Sequence, residues 1–210
     1  MATYIIMAVI AYFIGSINFS VIIGRKMAGI DVRQEGSGNA GSTNVLRTIG
    51  LKAALLTLIC DILKGVIAIL VALLIGNIVK NIDRALLVQL AGIFVILGHT
   101  FPIFFEFKGG KGVATALGVL LMSNWEIGLI CLVFALVIII ASRMVSMGAV
   151  GAAILFPVLT LFMNDNFVVA ASGMKYFIYS LILALIVIFN HRENIKRIMN
   201  GTENKIELKK

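Results

Sequence analysis

AALLTLICDILKGVIAILVALLIG, residues 53–76, is the stretch that decides the fold. Asp61 and Lys64 are its only charged residues, and the rest is apolar enough to need lipid as solvent. A run of this length with so few charges reads as a membrane-spanning helix. Working outward, similar runs cover about 3–24, 84–105, 112–123, 125–142, 147–163 and 173–190. The whole chain of 210 residues is 60% hydrophobic and 13% charged. Soluble domains run about 45–50% apolar with about a quarter charged, so a soluble globule is excluded. At about 20 residues per span the length holds roughly six to eight spans. The reading is an all-α integral membrane protein of seven transmembrane helices, with residues 1–210 as one domain. The tail after about residue 199 is polar and is expected to be frayed.

The run 112–123 is the short one. Twelve residues cover roughly 18 Å, against a hydrocarbon core of about 30 Å. Either its helix begins inside the preceding glycine-rich loop or that loop re-enters the membrane. Irregular backbone at that depth is tolerated only where it lines a protein cavity, which points to a site.

The charge distribution orients the chain. Loops 25–52, 106–111 and 143–146 and the tail 191–210 carry Arg25, Lys26, Arg33, Arg47, Lys52, Lys108, Lys111, Arg143, Arg192, Lys196, Arg197, Lys205, Lys209 and Lys210, fourteen of the 18 cations. The opposite loops carry only Lys80, Arg84 and Lys175. Cations concentrate on the cytoplasmic side, so the N-terminus is expected outside and the C-terminus in the cytoplasm. The net charge of +8 is scattered among short loops, which argues against a nucleic-acid partner. Cys60 and Cys131 both lie inside apolar runs, so no disulfide framework is expected. The first run lacks a basic leader and is followed by many more, unlike a secretory signal.

Three polar patches fall on the basic side. GSGNAGSTNVLR, Gly36 to Arg47, offers Ser37, Asn39, Ser42, Thr43 and Asn44 as small polar groups and Arg47 as a planar cation suited to phosphate. Its glycines allow close backbone approach to a ligand. FKGGKGVAT, Phe107 to Thr115, sets Gly109, Gly110 and Gly112 around Lys111 just before a helix start. Successive N–H groups there read as an anion nest. A Walker A loop needs Ser or Thr after Gly-Lys, and Gly112 stands there instead. HRENIKR, His191 to Arg197, places His191, Asn194 and Arg197 on one helical face at i, i+3 spacing. The alternatives are a connector loop, a tight turn and a snorkelling basic collar, respectively.

Within the spans, Asp61 and Lys64 at i, i+3 can pair with each other or serve function. His99, near the end of the 84–105 run, suits a structural role as well as a catalytic one. Ser142, Arg143 and Ser146 form a further small cluster.

The chain resembles the bacterial membrane acyl-phosphate:glycerol-3-phosphate acyltransferases. GSGNAGSTNVLR, DILKG, GHTFPIFFEFKGGKGVAT, the Arg143–Ser146 turn, HRENIKRI and the GTE at Gly201 to Glu203 carry the resemblance, in order and over nearly the whole chain. It implies seven spans with the N-terminus outside, in a bacterial inner membrane with the active site at the cytoplasmic face. It implies transfer of a fatty acyl group from acyl phosphate to the 1-hydroxyl of sn-glycerol 3-phosphate, giving 1-acylglycerol 3-phosphate and phosphate. By resemblance, Gly109, Gly110, Lys111, Gly112 and Thr115 hold the acyl phosphate. Arg47, Lys111, Ser146, Asn194 and His191 bind glycerol 3-phosphate, with Ser142 as an alternative to Ser146. His191, Asn194, Ser37 and Lys111 are the expected catalytic set.

An acyl phosphate is an activated anhydride, so no protein nucleophile is needed. Neither His99 nor His191 has the Asp five residues on that soluble-facing glycerolipid acyltransferases use; Phe104 and Lys196 stand there. Direct attack is expected, with His191 or the substrate's own phosphate as base. No metal, no cofactor beyond the co-substrate and a monomer in the lipid bilayer are expected. The competing readings are a transporter of a small phosphorylated solute and a lipid-contacting scaffold. Against the first, the polar patches gather on one face and no inverted repeat is visible; the second leaves the glycine-rich loops unexplained.

Overall fold

The computed structural model describes residues 1–163 and 173–206, and these are helices and connections without a strand. Lys209 and Lys210 of the basic tail lie outside the described residues. The helices are α1 (Ala2–Gly15), α2 (Phe19–Ala28), α3 (Ser42–Thr48), α4 (Leu51–Ile78) and α5 (Arg84–Thr100). A 3-10 turn, Ile103–Phe105, leads to α6 (Val113–Ser123). Then come α7 (Trp125–Ser142), α8 (Val145–Phe162), α9 (Gly173–Asn190) and α10 (Arg192–Met199). The chain divides into two compact units, Met1–Ser123 and Asn124–Lys210.

Six segments are long and apolar enough to cross a membrane: Ala2–Ala28, Leu51–Ile78, Arg84–Phe105, Trp125–Ser142, Val145–Phe162 and Gly173–Asn190. They turn large side chains outward, as Leu74, Val137 and Ile140 show. Lipid accepts such faces where water would not. The remaining run forms α6, which at 11 residues is too short to cross alone.

In the first unit, helices meet through glycines. A Cβ on Gly98 of α5 would collide with the Tyr12 carbonyl of α1, and one on Gly15 with the Val95 carbonyl. A Cβ on Gly118 of α6 would collide with the Ile62 carbonyl of α4, and one on Gly65 with the Thr115 carbonyl. In lipid, where apolar burial gives no driving force, such close approach is what lets helices associate.

The first apolar run is not one helix. Its chain breaks at Ser16–Asn18 between α1 and α2. The Asn18 side chain caps α2 by accepting from Val21 N (3.3 Å) and Ser20 Oγ (2.7 Å). The Gly15 and Ile17 carbonyls freed by the break accept from Lys64 Nζ at 3.1 and 3.0 Å. A break inside an apolar run needs such a donor, because lipid supplies none.

In the second unit α7, α8 and α9 pack in sequence. Cβ atoms on Gly148 and Gly151 of α8 would press on Ala135, Ile139, Ile138 and Phe134 of α7. Up to residue 206 the tail is tied down and not frayed as expected. Ile206 N donates to Arg143 O (2.8 Å), and Glu203 is buried.

Candidate functional site

Two loops of the first unit meet. Asn44, buried near the start of α3, organises the first of them. Its Nδ2 donates to Val32 O (2.8 Å) and Glu35 O (3.0 Å), and its Oδ1 accepts from Ser37 N (2.9 Å). Gly36 takes a left-handed φ of 58° beside that carboxamide, where a Cβ would lie 2.5 Å from Asn44 Oδ1. Below the loop, Val32, Ala40, Val45, Ala53 and Ala54 form a buried cluster on which Phe105 packs. Ser37 and Arg47 are exposed at this surface, with Arg47 in the last turn of α3.

Arg33 ties the first loop to the second. It forks onto Asp31 with bonds of 3.0 and 2.8 Å and donates through Nη1 to Phe105 O (2.8 Å). Hydrogen bonding from the Arg33 guanidinium, aided by Arg25, holds the Asp31 carboxyl well below the usual carboxylate range despite partial burial. Reciprocally, the Asp31 carboxylate raises Arg33 further. Past Phe105, Glu106 and Phe107 both take left-handed φ values near 58°, an uncommon pair for residues with side chains.

The glycine loop does not use its glycines as expected. Gly109 N donates to Thr100 O and Gly110 N to His99 O, both at 3.1 Å. Those amides are committed to the end of α5 and are not anion donors. The glycines are needed for packing instead. A Cβ on Gly109 would strike the His99 carbonyl, and one on Gly110 would strike the His99 ring and lie 2.6 Å from Ala40 O. The Ala40 carbonyl thus sits against Gly110 and joins the first two sequence patches. Gly112 has a φ of 83° and turns the chain into α6. What this loop offers to an anion is half-buried Lys111, Gly112 and the first turn of α6, whose leading amides lack intrahelical acceptors. Thr115, in the first turn of α6, is fully buried in the seam between α6 and α4.

In the second unit the third patch meets the turn after α7. Glu203, which sequence reasoning noted only within GTE, is its centre. Its Oε1 accepts from Ser146 Oγ (2.8 Å) and Asn194 Nδ2 (2.7 Å), and its Oε2 from Arg197 Nε (2.8 Å). Burial pushes this carboxyl up, but the bonds from Asn194, Ser146 and Arg197 outweigh it and lower it below the ordinary glutamate value. Asn194 is thereby oriented, Nδ2 toward Glu203 and Oδ1 at the opposite end. Ser142 is spent locally, donating to Ile138 O (2.7 Å) and accepting from Met144 N (3.1 Å). Of the two candidate serines, Ser146 is the one in the network.

His191 is buried where α9 ends and α10 begins. Its Nδ1 lies 2.7 Å from Val187 O. A carbonyl only accepts, so Nδ1 carries a proton toward it.

Helices of membrane-spanning length and a loop cluster built around a buried scaffold define a polytopic helical membrane protein with a polar site at the ends of its helices. The family model described as glycerol-3-phosphate acyltransferase matches residues 5–201. The glycerol-3-phosphate acyltransferase of Clostridioides difficile (strain 630) is 44% identical over 208 residues, covering 99% of this chain and 98% of that one. That of Prochlorococcus marinus (strain MIT 9301) is 41% identical over 196 residues, covering 93% and 94%. Two crystal structures of PlsY (YgiH), an integral membrane glycerol 3-phosphate acyltransferase, share the fold. Its glycerol 3-phosphate form is 36% identical with a TM-score of 0.83, covering 97% of this chain and 96% of that one. Its lysophosphatidic acid form is 35% identical with a TM-score of 0.82, covering 97% and 95%.

The chain belongs to the glycerol-3-phosphate acyltransferase family. It is an integral membrane acyltransferase of phospholipid biosynthesis, and the transporter and scaffold readings fall away.

Proposed function

We propose that the acyl donor is a fatty acyl phosphate and that the acyl group passes directly to the 1-hydroxyl of sn-glycerol 3-phosphate. The observation that carries this reading is the loop of Lys111 and Gly112 at the start of α6. It combines a cation with helix N-terminal amides, which suits a phosphate that leaves as a dianion. In the first unit, Lys111 and Gly112 hold the donor's phosphate, Gly109 and Gly110 brace them, and Ser37 supplies a hydroxyl. Arg47, Ser146, Asn194 and His191 serve glycerol 3-phosphate. The Ser146 proton is committed to Glu203, so Ser146 and Asn194 Oδ1 act as acceptors for glycerol hydroxyls.

The base is the substrate's own phosphate or His191, whose Nδ1 is bonded to Val187 O. With His191 as base, its Nε2 takes the hydroxyl proton as the glycerol oxygen bonds to the acyl carbon. The oxyanion then collapses, the bond from acyl carbon to phosphate oxygen breaks, and inorganic phosphate departs as the dianion with the proton returned from His191. Activation resides in the anhydride, so no covalent enzyme intermediate, metal or cofactor takes part, and one chain suffices.

The same proposal places the chain in a bacterial inner membrane with seven crossings and the N-terminus outside. Each unit supports the charge count separately. Arg33 and Ala40 join loop 25–52 to loop 106–111, and Ile206 and Glu203 join the tail to turn 143–146.

The test is phosphate release from synthetic palmitoyl phosphate by purified protein. Release that requires glycerol 3-phosphate is expected. No release, with acylation from a thioester donor instead, would reject the donor assignment. His191→Ala is expected to lose about 100-fold or more in kcat. Retention of most turnover would leave the substrate phosphate as base.

A further inference from the structure

The mechanism leaves unused a buried charged cluster in the first unit. Asp61 and Lys64 of α4 form an ion pair, Oδ1 to Nζ at 2.9 Å, each only 2% exposed. Lys64 Nζ also donates to the Gly15 and Ile17 carbonyls. Capping the α1–α2 break explains Lys64, and neutralising Lys64 explains Asp61. Neither explains the third member. His99, on α5 and 5% exposed, points Nδ1 at the same Asp61 Oδ1 at 3.6 Å.

The other side of His99 meets the glycine loop twice. Its carbonyl accepts from Gly110 N at 3.1 Å. Its Nε2 lies where a Cβ of Gly110 would be, so the ring rests on the Gly110 backbone. Gly110 is thus held between the His99 ring and the Ala40 carbonyl, immediately before Lys111. Two buried charges are costly in a span and are kept where they serve a purpose.

We propose that His99 is a positioning residue for the reaction: Asp61, locked by Lys64, fixes the imidazole, and the imidazole fixes the height of Gly110 and so of the phosphate cradle at Lys111. The proposal rests on the reading that this cradle holds the acyl donor's phosphate. The Asp61 carboxylate faces the Nδ1 side of the ring, and the Nε2 side faces the loop. A misplaced cradle loses donor binding before it affects the acceptor.

Two mild variants divide the imidazole. His99→Asn keeps a donor near Asp61 but vacates the space beside Gly110. His99→Gln reaches toward Gly110 but abandons Asp61. Both are expected to raise the KM for palmitoyl phosphate by about tenfold, with the KM for glycerol 3-phosphate within about twofold of wild type. Asp61→Asn is expected to show the same split. An unchanged donor KM in both His99 variants, or a loss of kcat with both KM values intact, would overturn the proposal.

A measurement on the unmodified enzyme stands apart from variant folding. The chain has two histidines, so imidazole 15N spectra give two separable rings. Adding a non-hydrolysable acyl phosphonate should shift the His99 Nε2 resonance, and no shift at saturation would also overturn the proposal. Phosphate release by the wild type shows independently whether the donor assignment itself holds.

Discussion

Lys111 and Arg47 stand at opposite ends of the packed loops, one before α6 and one in the last turn of α3. Arg47 is exposed and Lys111 half-buried, so neither truncation should much disturb folding. Lys111→Ala and Arg47→Ala are each expected to lower kcat/KM about 100-fold or more at near-wild-type unfolding midpoints. Near-normal activity in either would mean that the wrong cation has been assigned. Asp31 and Glu203 act through stability instead. Both carboxyls sit below their ordinary values in the folded protein. Their contribution is therefore present above about pH 4 and is lost as pH falls through the folded values, where the unfolded chain binds more protons. The unfolding midpoint in detergent should fall steeply below about pH 4. Asp31→Asn and Glu203→Gln should each flatten that slope while lowering the neutral-pH midpoint. A slope unchanged in both variants would place the acid sensitivity elsewhere.

Elements were legible where composition alone decides them. The run 125–142 matches α7 at both ends and the run 173–190 matches α9 at its C-terminal end, because apolar length in lipid is nearly sufficient to define a helix. The α1–α2 break was not legible, since its stabilising donor is Lys64, far along the chain. Glu203 was missed for a similar reason. Its segment reads as a polar tail, and one of its partners, Ser146, lies 57 residues earlier. The glycine loop was found, but its amides were misassigned, because sequence cannot show that the end of α5 takes two of them. The α4–α6 seam carries a prediction of its own. Gly118→Val would drive a side chain into the Ile62 carbonyl and push α6 away from α4. A cost of about 1–3 kcal/mol is expected, with activity falling as well because α6 begins at the phosphate loop. Leu74→Ala, on an outward face of α4, should leave both nearly unchanged. Thermal unfolding and phosphate release measured together separate these outcomes.

For the whole molecule the number of crossings is decided by α6. Six long segments alone would return both termini to one side, whereas the cation count needs an odd number. Val113–Ser123 spans only about 16 Å as a helix, so it crosses only if the bilayer thins locally or its flanking polar residues are shielded by protein. Its seam with α4 and the Asn124 side chain that caps α7 provide such shielding within each unit. Single cysteines report the outcome once Cys60 and Cys131 are replaced by alanine. Ala2→Cys should react with a membrane-impermeant maleimide in intact spheroplasts, and Lys80→Cys should react likewise. Lys205→Cys should react only after permeabilisation. If Ala2→Cys and Lys205→Cys were labelled from the same side, α6 would be a re-entrant element and not a crossing. The glycine loop would then enter the bilayer with it, and the route by which water-soluble glycerol 3-phosphate reaches a donor held at Lys111 would have to be redrawn.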